Sequence, residues 1–331
     1  MSDTAGRAGM LPVSRRVRAY FAPVERSTGS PTIFDPAKDG AFELDAPPSP
    51  WLDLGWITNF ERTSSTTTET LLAGSPAAPV LQHRPALSAQ LEFDFRQWGK
   101  LQMALAAGSQ HMNVLAAEPS ADPQPSGGTP LPGVAVLPGS TASEIVFGPG
   151  AIDAFAAGDI VIVDVDYNQE VGFVGTGIAA AYVRDPIDVL RDANYVRRVS
   201  FNVARIAQKT ATSVLLSQPL IGGVPAEGAS AQKVVGFADR QGGSFFQQWS
   251  ALFVLQEQAG GRICFYYPRL APATPRKEAG FSRETRIAIA DSSDAVAMHA
   301  AFVALPFNDR TDAEKVLSFR YYFPARSAAV Y

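Results

Sequence analysis

The sequence predicts a mainly β protein with one or two short helices, in which an inserted β domain splits a first domain into two halves. Three observations carry this. Over residues 87–95, Leu87, Ala89, Leu91, Phe93 and Phe95 alternate with Ser88, Gln90, Glu92 and Asp94, so every apolar group falls on one face of a strand and every polar group on the other. Short β-branched and aromatic runs bounded by Gly and Pro recur along the chain, the pattern of antiparallel strands joined by turns. Residues 118–143 mix Pro119, Pro123, Pro125, Pro130, Pro132 and Pro138 with Gly127, Gly128, Gly133 and Gly139, a density of breakers that reads as a linker.

In chain order, residues 1–12 read as a flexible N-terminal arm and residues 13–117 as the first half of the split domain. Val17, Ala19 and Phe21 share one side of a short strand. Residues 28–50, with Asp39-Gly40 and then Pro47, Pro48 and Pro50, form a long turn-rich loop. Trp51 to Ile57 is an apolar strand, and the Ser/Thr-rich stretch Glu61 to Thr70 is an exposed strand or extended loop. After residue 95, a short helix is expected from Trp98 to Ala107, stopped by Gly108. Trp98, Leu101 and Leu105 would pack it against the sheet, with Leu87, Leu91, Phe93 and Phe95 beneath the helix.

Beyond the linker, residues 144–240 read as the inserted β domain. Its expected strands are Ile160 to Val165, a long run from Tyr195 to Ala207, and Ser213 to Leu216. Residues 241–331 complete the split domain. Trp249 to Leu255 and Ile263 to Tyr267 flank Gln258-Ala259-Gly260-Gly261 as a hairpin. Residues 271–285 are a loop, Ala295 to Leu305 is apolar without a clear period, and Val316 to Phe323 is a last aromatic strand.

Composition removes several functions. Hydrophobic residues make up 46% and charged residues 18% of 331, enough for a sizeable core. A net charge of −4 lacks the basic excess of a general nucleic-acid binder. The acidity concentrates in residues 116–240, with 8 basic and 13 acidic groups. The single cysteine, Cys264, permits no intrachain disulfide and sits in the apolar run Arg262 to Tyr267, where it reads as a buried small hydrophobe. No secretory signal is visible and no run reaches 18 apolar residues, so a soluble protein without a membrane partner is expected.

The motif search yields no enzyme, cofactor or metal. Gly175-Thr176-Gly177 with Ala180 fits G-x-G-x-x-A, but Gly172 breaks the strand before it and Pro186 the helix after it. The nearest acid, Asp192, is closer than a ribose-binding carboxylate should be. Asp164-Val165-Asp166-Tyr167-Asn168 could open a calcium loop, yet Gln169 and Gly175 stand where Gly and Glu are required. His83, His111 and His299 are the only histidines. None accompanies a nucleophile motif, and His83 and His111 read as surface or capping groups. Glu92 and Asp94 share a strand face at a spacing glycosidases use, but such pairs are ordinary on a wet strand face.

Several stretches together resemble a tail tube (major tail) protein of tailed phages or phage-like particles. In the first half these are Trp51-Leu52-Asp53-Leu54-Gly55-Trp56-Ile57, the strand ending Phe93-Asp94-Phe95, and the helix after it. In the second they are the hairpin Trp249 to Tyr267 with Phe265-Tyr266-Tyr267-Pro268-Arg269-Leu270, and the strand Leu317 to Phe323. The likeness covers roughly residues 13–115 and 243–324, and residues 144–238 depart from it as an extra domain displayed outside. The resemblance implies a tail-tube-type split β-barrel/sandwich domain and a structural, non-enzymatic subunit. It implies homo-hexameric rings, two hairpins per subunit in one continuous barrel, stacked into a hollow tube beside other tail proteins. Double-stranded DNA or effector cargo would pass without specific binding, in a virion tail assembled in the host bacterial cytoplasm. Ser88, Gln90, Glu92 and Asp94 would then face the channel, and residues 1–12 and 28–50 would reach the next ring. Two rivals are a carbohydrate-binding module presenting Trp51, Trp56, Tyr266 and Tyr267, and another virion component such as a baseplate or decoration protein.

Overall fold

The computed structural model describes residues 16–25, 28–119, 125, 127–166, 171–174, 181–183, 194–240, 247–257, 260–273 and 298–325. The N-terminal arm and the Gly175–Ala180 motif lie outside them. In chain order the strands begin with β1 (Val17–Pro23), β2 (Leu52–Ala73), β3 (Ala78–Phe95), β4 (Gln110–Leu115), β5 (Val134–Ala135) and β6 (Glu144–Val146). They continue with β7 (Ile160–Val165), β8 (Gly172–Val174), β9 (Ala181–Val183), β10 (Val203–Lys209), β11 (Ser213–Leu216) and β12 (Ala229–Arg240). The last are β13 (Trp249–Gln256), β14 (Arg262–Pro272), β15 (Met298–Ala304), β16 (Phe307–Asn308), β17 (Lys315–Val316) and β18 (Phe319–Phe323). Among the described residues three short α-helices join them: α1 (Pro36–Asp39), α2 (Lys100–Ala107) and α3 (Tyr195–Val199).

Two compact units result, one of residues 1–22, 31–108 and 248–331 and the other of residues 23–30 and 109–247. The expected split organisation is present, with its boundaries at 108/109 and 247/248 rather than at 117 and 240. The Pro/Gly stretch is no linker. Inside the second unit β5 pairs with β12, Ala117 bridges Pro130, and Val136 bridges Phe147.

In the first unit the sheet order is β13-β1-β2-β3-β15-β14, and β14 returns to pair with β13, so six strands close into a barrel with β18 added outside on β14. Alternation along each strand sends one residue set inward. Phe21 from β1, Phe93 from β3, Phe253 from β13 and Phe302 from β15 meet there. Their ring centroids lie 5.4 Å (Phe93–Phe253), 5.5 Å (Phe21–Phe302) and 5.6 Å (Phe93–Phe302, stacked) apart. Tyr267 closes on Phe253 at 5.9 Å. Such aromatic pairs add about 0.5–1.5 kcal/mol each beyond the area they bury.

The opposite face of β1, β13 and β14 is also buried. Tyr20, Ala22, Leu252, Val254, Cys264 and Tyr266 pack against Phe34 and Trp51 from the 31–51 segment and against Phe319, Tyr321 and Phe323 of β18. Polar anchors hold that segment down. The Tyr20 hydroxyl donates to the Leu44 carbonyl at 2.9 Å and the Tyr266 hydroxyl to that of Thr32 at 2.9 Å. Arg18 forks onto both oxygens of Asp53 and reaches Asp45 at 2.6 Å, over the Trp56 ring at 5.4 Å. The Asp53 hydrogen bond is the main reason its guanidinium is held well above its ordinary range, against the opposing effect of burial. Within this loop Asp35 caps α1, accepting from the Ala37 and Lys38 amides at 2.9 and 3.3 Å.

Two elements differ from their sequence reading here. Helix α2 starts at Lys100, and Trp98 before it is 48% exposed; Leu105 is buried as expected, Ala104 is buried beside it and Leu101 is half-buried. The period-free stretch near residue 300 is strand β15, registered to β3 from Met298↔Phe95 to Val303↔Gln90.

The second unit is a barrel of its own. Strands β12, β7, β10, β11 and β6 follow in order, β5 pairs with β12, and the Val136–Phe147 bridge completes the ring. Ile145, Phe147, Val161, Val163, Ala204, Ile206, Val214 and Ala231 fill it. The long β run expected from Tyr195 instead begins as helix α3, and the strand starts at Val203. Tertiary hydrogen bonds override its β-branched composition: Asn113 on β4 donates to the Arg197 and Ser200 carbonyls at 2.7 and 2.9 Å. His111 bonds the Val199 carbonyl at 2.9 Å, which completes the helix end. His111 is thus a buried cap, not a surface group.

Replacing Phe93 by Ala should cost about 3–5 kcal/mol of stability in a urea titration, the range for a large aromatic truncated in a packed core. Burial pushes the Cys264 thiol up to about 12, so a thiol reagent at pH 8 should label it only as the protein unfolds.

Candidate assembly interface

Strands β2 and β3 pair along their length, from Ile57↔Phe95 to Ala73↔Ala78. Their other neighbours stop early. β1 follows β2 only up to Ile57, and β15 follows β3 only as far as Gln90. Beyond these points, among the described residues, no further strand pairs with the outer edges of the hairpin. A two-stranded ribbon therefore leaves the barrel, roughly 40 Å long at about 3.3 Å per residue. Every described side chain from Glu61 to Ser88 is exposed. The Ser/Thr stretch is the outgoing strand of this ribbon.

At its root a bulge falls between Thr58 and Glu61. Asn59 takes a left-handed conformation (φ 54°), and Phe60 turns inward to lie 4.8 Å from Phe253. The extra residue bends β2 as it parts from β1.

The ribbon has two chemically distinct faces along its shaft, because residues directly opposite in an antiparallel pair share a face. Ser88, Gln90, Glu92 and Asp94 share one face with Ser65, Thr63, Glu61 and Thr58. The Ser65 and Ser88 hydroxyls hydrogen-bond at 2.7 Å. Asp94 accepts from Asn59 Nδ2 at 2.6 Å and from His299 Nδ1 at 2.9 Å. The other face carries Leu91, Ala89 and Leu87 opposite Arg62, Ser64 and Thr66. Phe93, Leu91 and Ala89 are buried in the barrel, but Leu87 is 51% exposed. Leu87 thus lies on the ribbon and not beneath the helix, since the barrel ends before it.

The tip changes character. From Thr70 to Gln82 the sequence has no charged residue. Leu71 and Leu81 face each other in register, and Leu71, Leu72, Val80 and Leu81 are 55–64% exposed. Burying each fully would contribute roughly 1.5–3 kcal/mol.

The remaining candidates resolve into structural roles. Trp51, Tyr266 and Tyr267 are buried at 5% or less and Trp56 lies under Arg18, so the aromatics of the carbohydrate-binding reading form no open platform. Asp166 is bound by the buried Arg197, which also donates to Gln232 at 2.6 Å. A guanidinium therefore occupies that carboxylate where the calcium reading would put a cation. Among the described residues no group of three His, Cys, Asp or Glu is arranged to hold a metal, and no helix is long and apolar enough to cross a membrane. The His83 side chain lies outside the described residues. Compared with known proteins, the chain matches no family model and no curated protein.

The tip side chains touch solvent, so the double variant Leu72→Lys/Val80→Lys should unfold within about 0.5 kcal/mol of the parent. A loss above 1 kcal/mol in a urea titration would mean that the tip packs within its own subunit.

Proposed function

We infer that this protein is a non-enzymatic structural subunit that assembles with copies of itself into stacked rings, forming the hollow tube of a phage-type tail. The observation that carries this reading is the bare ribbon. An isolated two-stranded hairpin is marginal in water, and long unpaired edges invite pairing with another chain. Here a ribbon whose outer edges pair with no other described strand ends in four exposed aliphatic side chains, a design that makes sense when another subunit covers it.

The polar face suits the wall of a wet channel. Ser88, Gln90, Glu92 and Asp94 line one side of the strand whose other side is packed with Leu91, Phe93 and Phe95. Acidic and hydroxyl groups there would not neutralise phosphate, so DNA would pass without being held. The second unit's barrel of β5, β6, β7, β10, β11 and β12, with its own core, fits a domain displayed on the outside of the tube. Burial of Trp51, Tyr266 and Tyr267 weighs against the carbohydrate-binding alternative.

Negative-stain electron microscopy of the purified chain over a range of concentrations tests the reading. Rings with a central hole, or hollow tubes, are expected, and the Leu72→Lys/Val80→Lys variant should give none. Monodisperse monomers at every concentration, with and without other tail proteins, would overturn it.

A further inference from the structure

Tyr267 on β14 turns into the barrel of the first unit, where its ring meets Phe253. The side chain is fully buried, yet its hydroxyl makes no hydrogen bond of ordinary length and angle among the described residues. The other buried tyrosines of this unit are served: the Leu44 carbonyl accepts from Tyr20 and the Thr32 carbonyl from Tyr266. A buried hydroxyl without an acceptor weakens a fold, so this donor stands out.

Positive charge lies beside that hydroxyl. Burial raises the phenol above its ordinary value, and the Arg62 and Arg320 guanidiniums pull against that rise from close by. The strand registers bring both arginines to this place. Arg62 lies opposite Leu91 in the β2–β3 pair, on the face turned away from Glu61 and Glu92. Arg320 lies opposite Phe265 in the β14–β18 pair, and Phe265 shares its strand face with Tyr267 two residues on. Phe60, turned inward by the bulge, is 4.8 Å from Phe253 and 5.9 Å from Phe265. Both arginines are exposed. Arg62 makes one long contact, from Nη1 to the Ser64 hydroxyl at 3.4 Å. A buried donor, two guanidiniums and an aromatic wall of Phe60, Phe253 and Phe265 thus share one end of the barrel.

We propose that Tyr267, Arg62 and Arg320 form a binding site for an oxyanion, a carboxylate or phosphate group, at this mouth of the barrel. One oxygen accepts from the Tyr267 hydroxyl, and the guanidiniums donate to the remaining oxygens from the solvent side. Guanidinium forks match such groups in both shape and charge. The aromatic wall keeps water from the inner side of the ligand, which strengthens the charged hydrogen bonds. A cation would be repelled here, and a neutral group would leave the guanidiniums unused. The site does not depend on the tube reading, which puts the passing cargo against the polar face that carries Glu92.

Protein carrying ring-labelled tyrosine, dilute enough to stay monomeric, is titrated with inorganic phosphate and followed by NMR, with chloride holding the ionic strength. The ring signal identified by its loss in Tyr267→Phe should shift saturably, half-complete at on the order of 1 mM phosphate. Arg62→Gln and Arg320→Gln should each bind about tenfold more weakly, the loss of one hydrogen bond to a charged group. Tyr267→Phe should be at least as stable as the parent to urea in chloride, because it removes an unmatched donor. A Tyr267 signal that answers phosphate no more than chloride would overturn the proposal. So would an affinity unchanged in both arginine variants, or a Tyr267→Phe protein that is clearly less stable than the parent. The source of the oxyanion is read in concentrated protein. Phosphate that suppresses assembly of the parent but not of Arg62→Gln assigns it to a carboxylate on a second copy, and assembly indifferent to phosphate assigns it to a free ion. Because binding is read in monomers, failure of the site and failure of the tube reading are distinguishable.

Discussion

Strands β2 and β3 are hydrogen-bonded to each other for nearly their full length but to the rest of the barrel only near one end. That mismatch shapes the first unit. Where β1 and β15 flank them, the strands close a ring around Phe21, Phe93, Phe253 and Phe302. Where the flanking strands stop, the same two strands continue with outer edges that pair with no other described strand. The bulge at Asn59 and Phe60 marks the change: Phe60 returns to the core while Asn59 binds Asp94. A backbone edge of this length is tolerated only when something covers it or its side chains discourage pairing. Here the shaft is hydroxyl-rich and the tip is aliphatic.

Much of this was legible in the sequence. Residues 87–95 showed a half-buried strand because, Leu87 apart, each apolar side chain there goes to the barrel interior and each polar one to the wet face. The split organisation was also visible, as was burial of Cys264, which sits in an apolar run. What stayed hidden depended on partners distant in sequence. Glu61 to Thr70 could be an exposed strand or a loop, and only pairing with residues 82–92 makes it one arm of a ribbon. Leu71, Leu72, Val80 and Leu81 are exposed beyond the point where the described pairings with β1 and β15 stop.

The errors share that cause. Tyr195 to Val199 carries β-branched residues yet forms a helix, because Asn113 and His111 on β4 bind its carbonyls and Arg197 finds Gln232 and Asp166. The Pro/Gly stretch looked like a linker, but β12 lends it backbone partners, so the unit boundary moves to Gly108 and Ser109. The Asp94 cluster was missed for the same reason: His299 lies some 200 residues from Asp94 and meets it only through the β15–β3 register.

The most direct test of the central claim, that the ribbon edges lie open in one subunit and are covered by another, is amide hydrogen exchange followed by mass spectrometry at increasing protein concentration. Peptides spanning residues 61–90 should exchange fast in dilute solution and slow sharply as assembly sets in. Barrel peptides containing Phe93 or Phe253 should be protected throughout. Exchange in residues 61–90 that is already slow in the monomer, or that stays fast in the assembled state, would contradict the account.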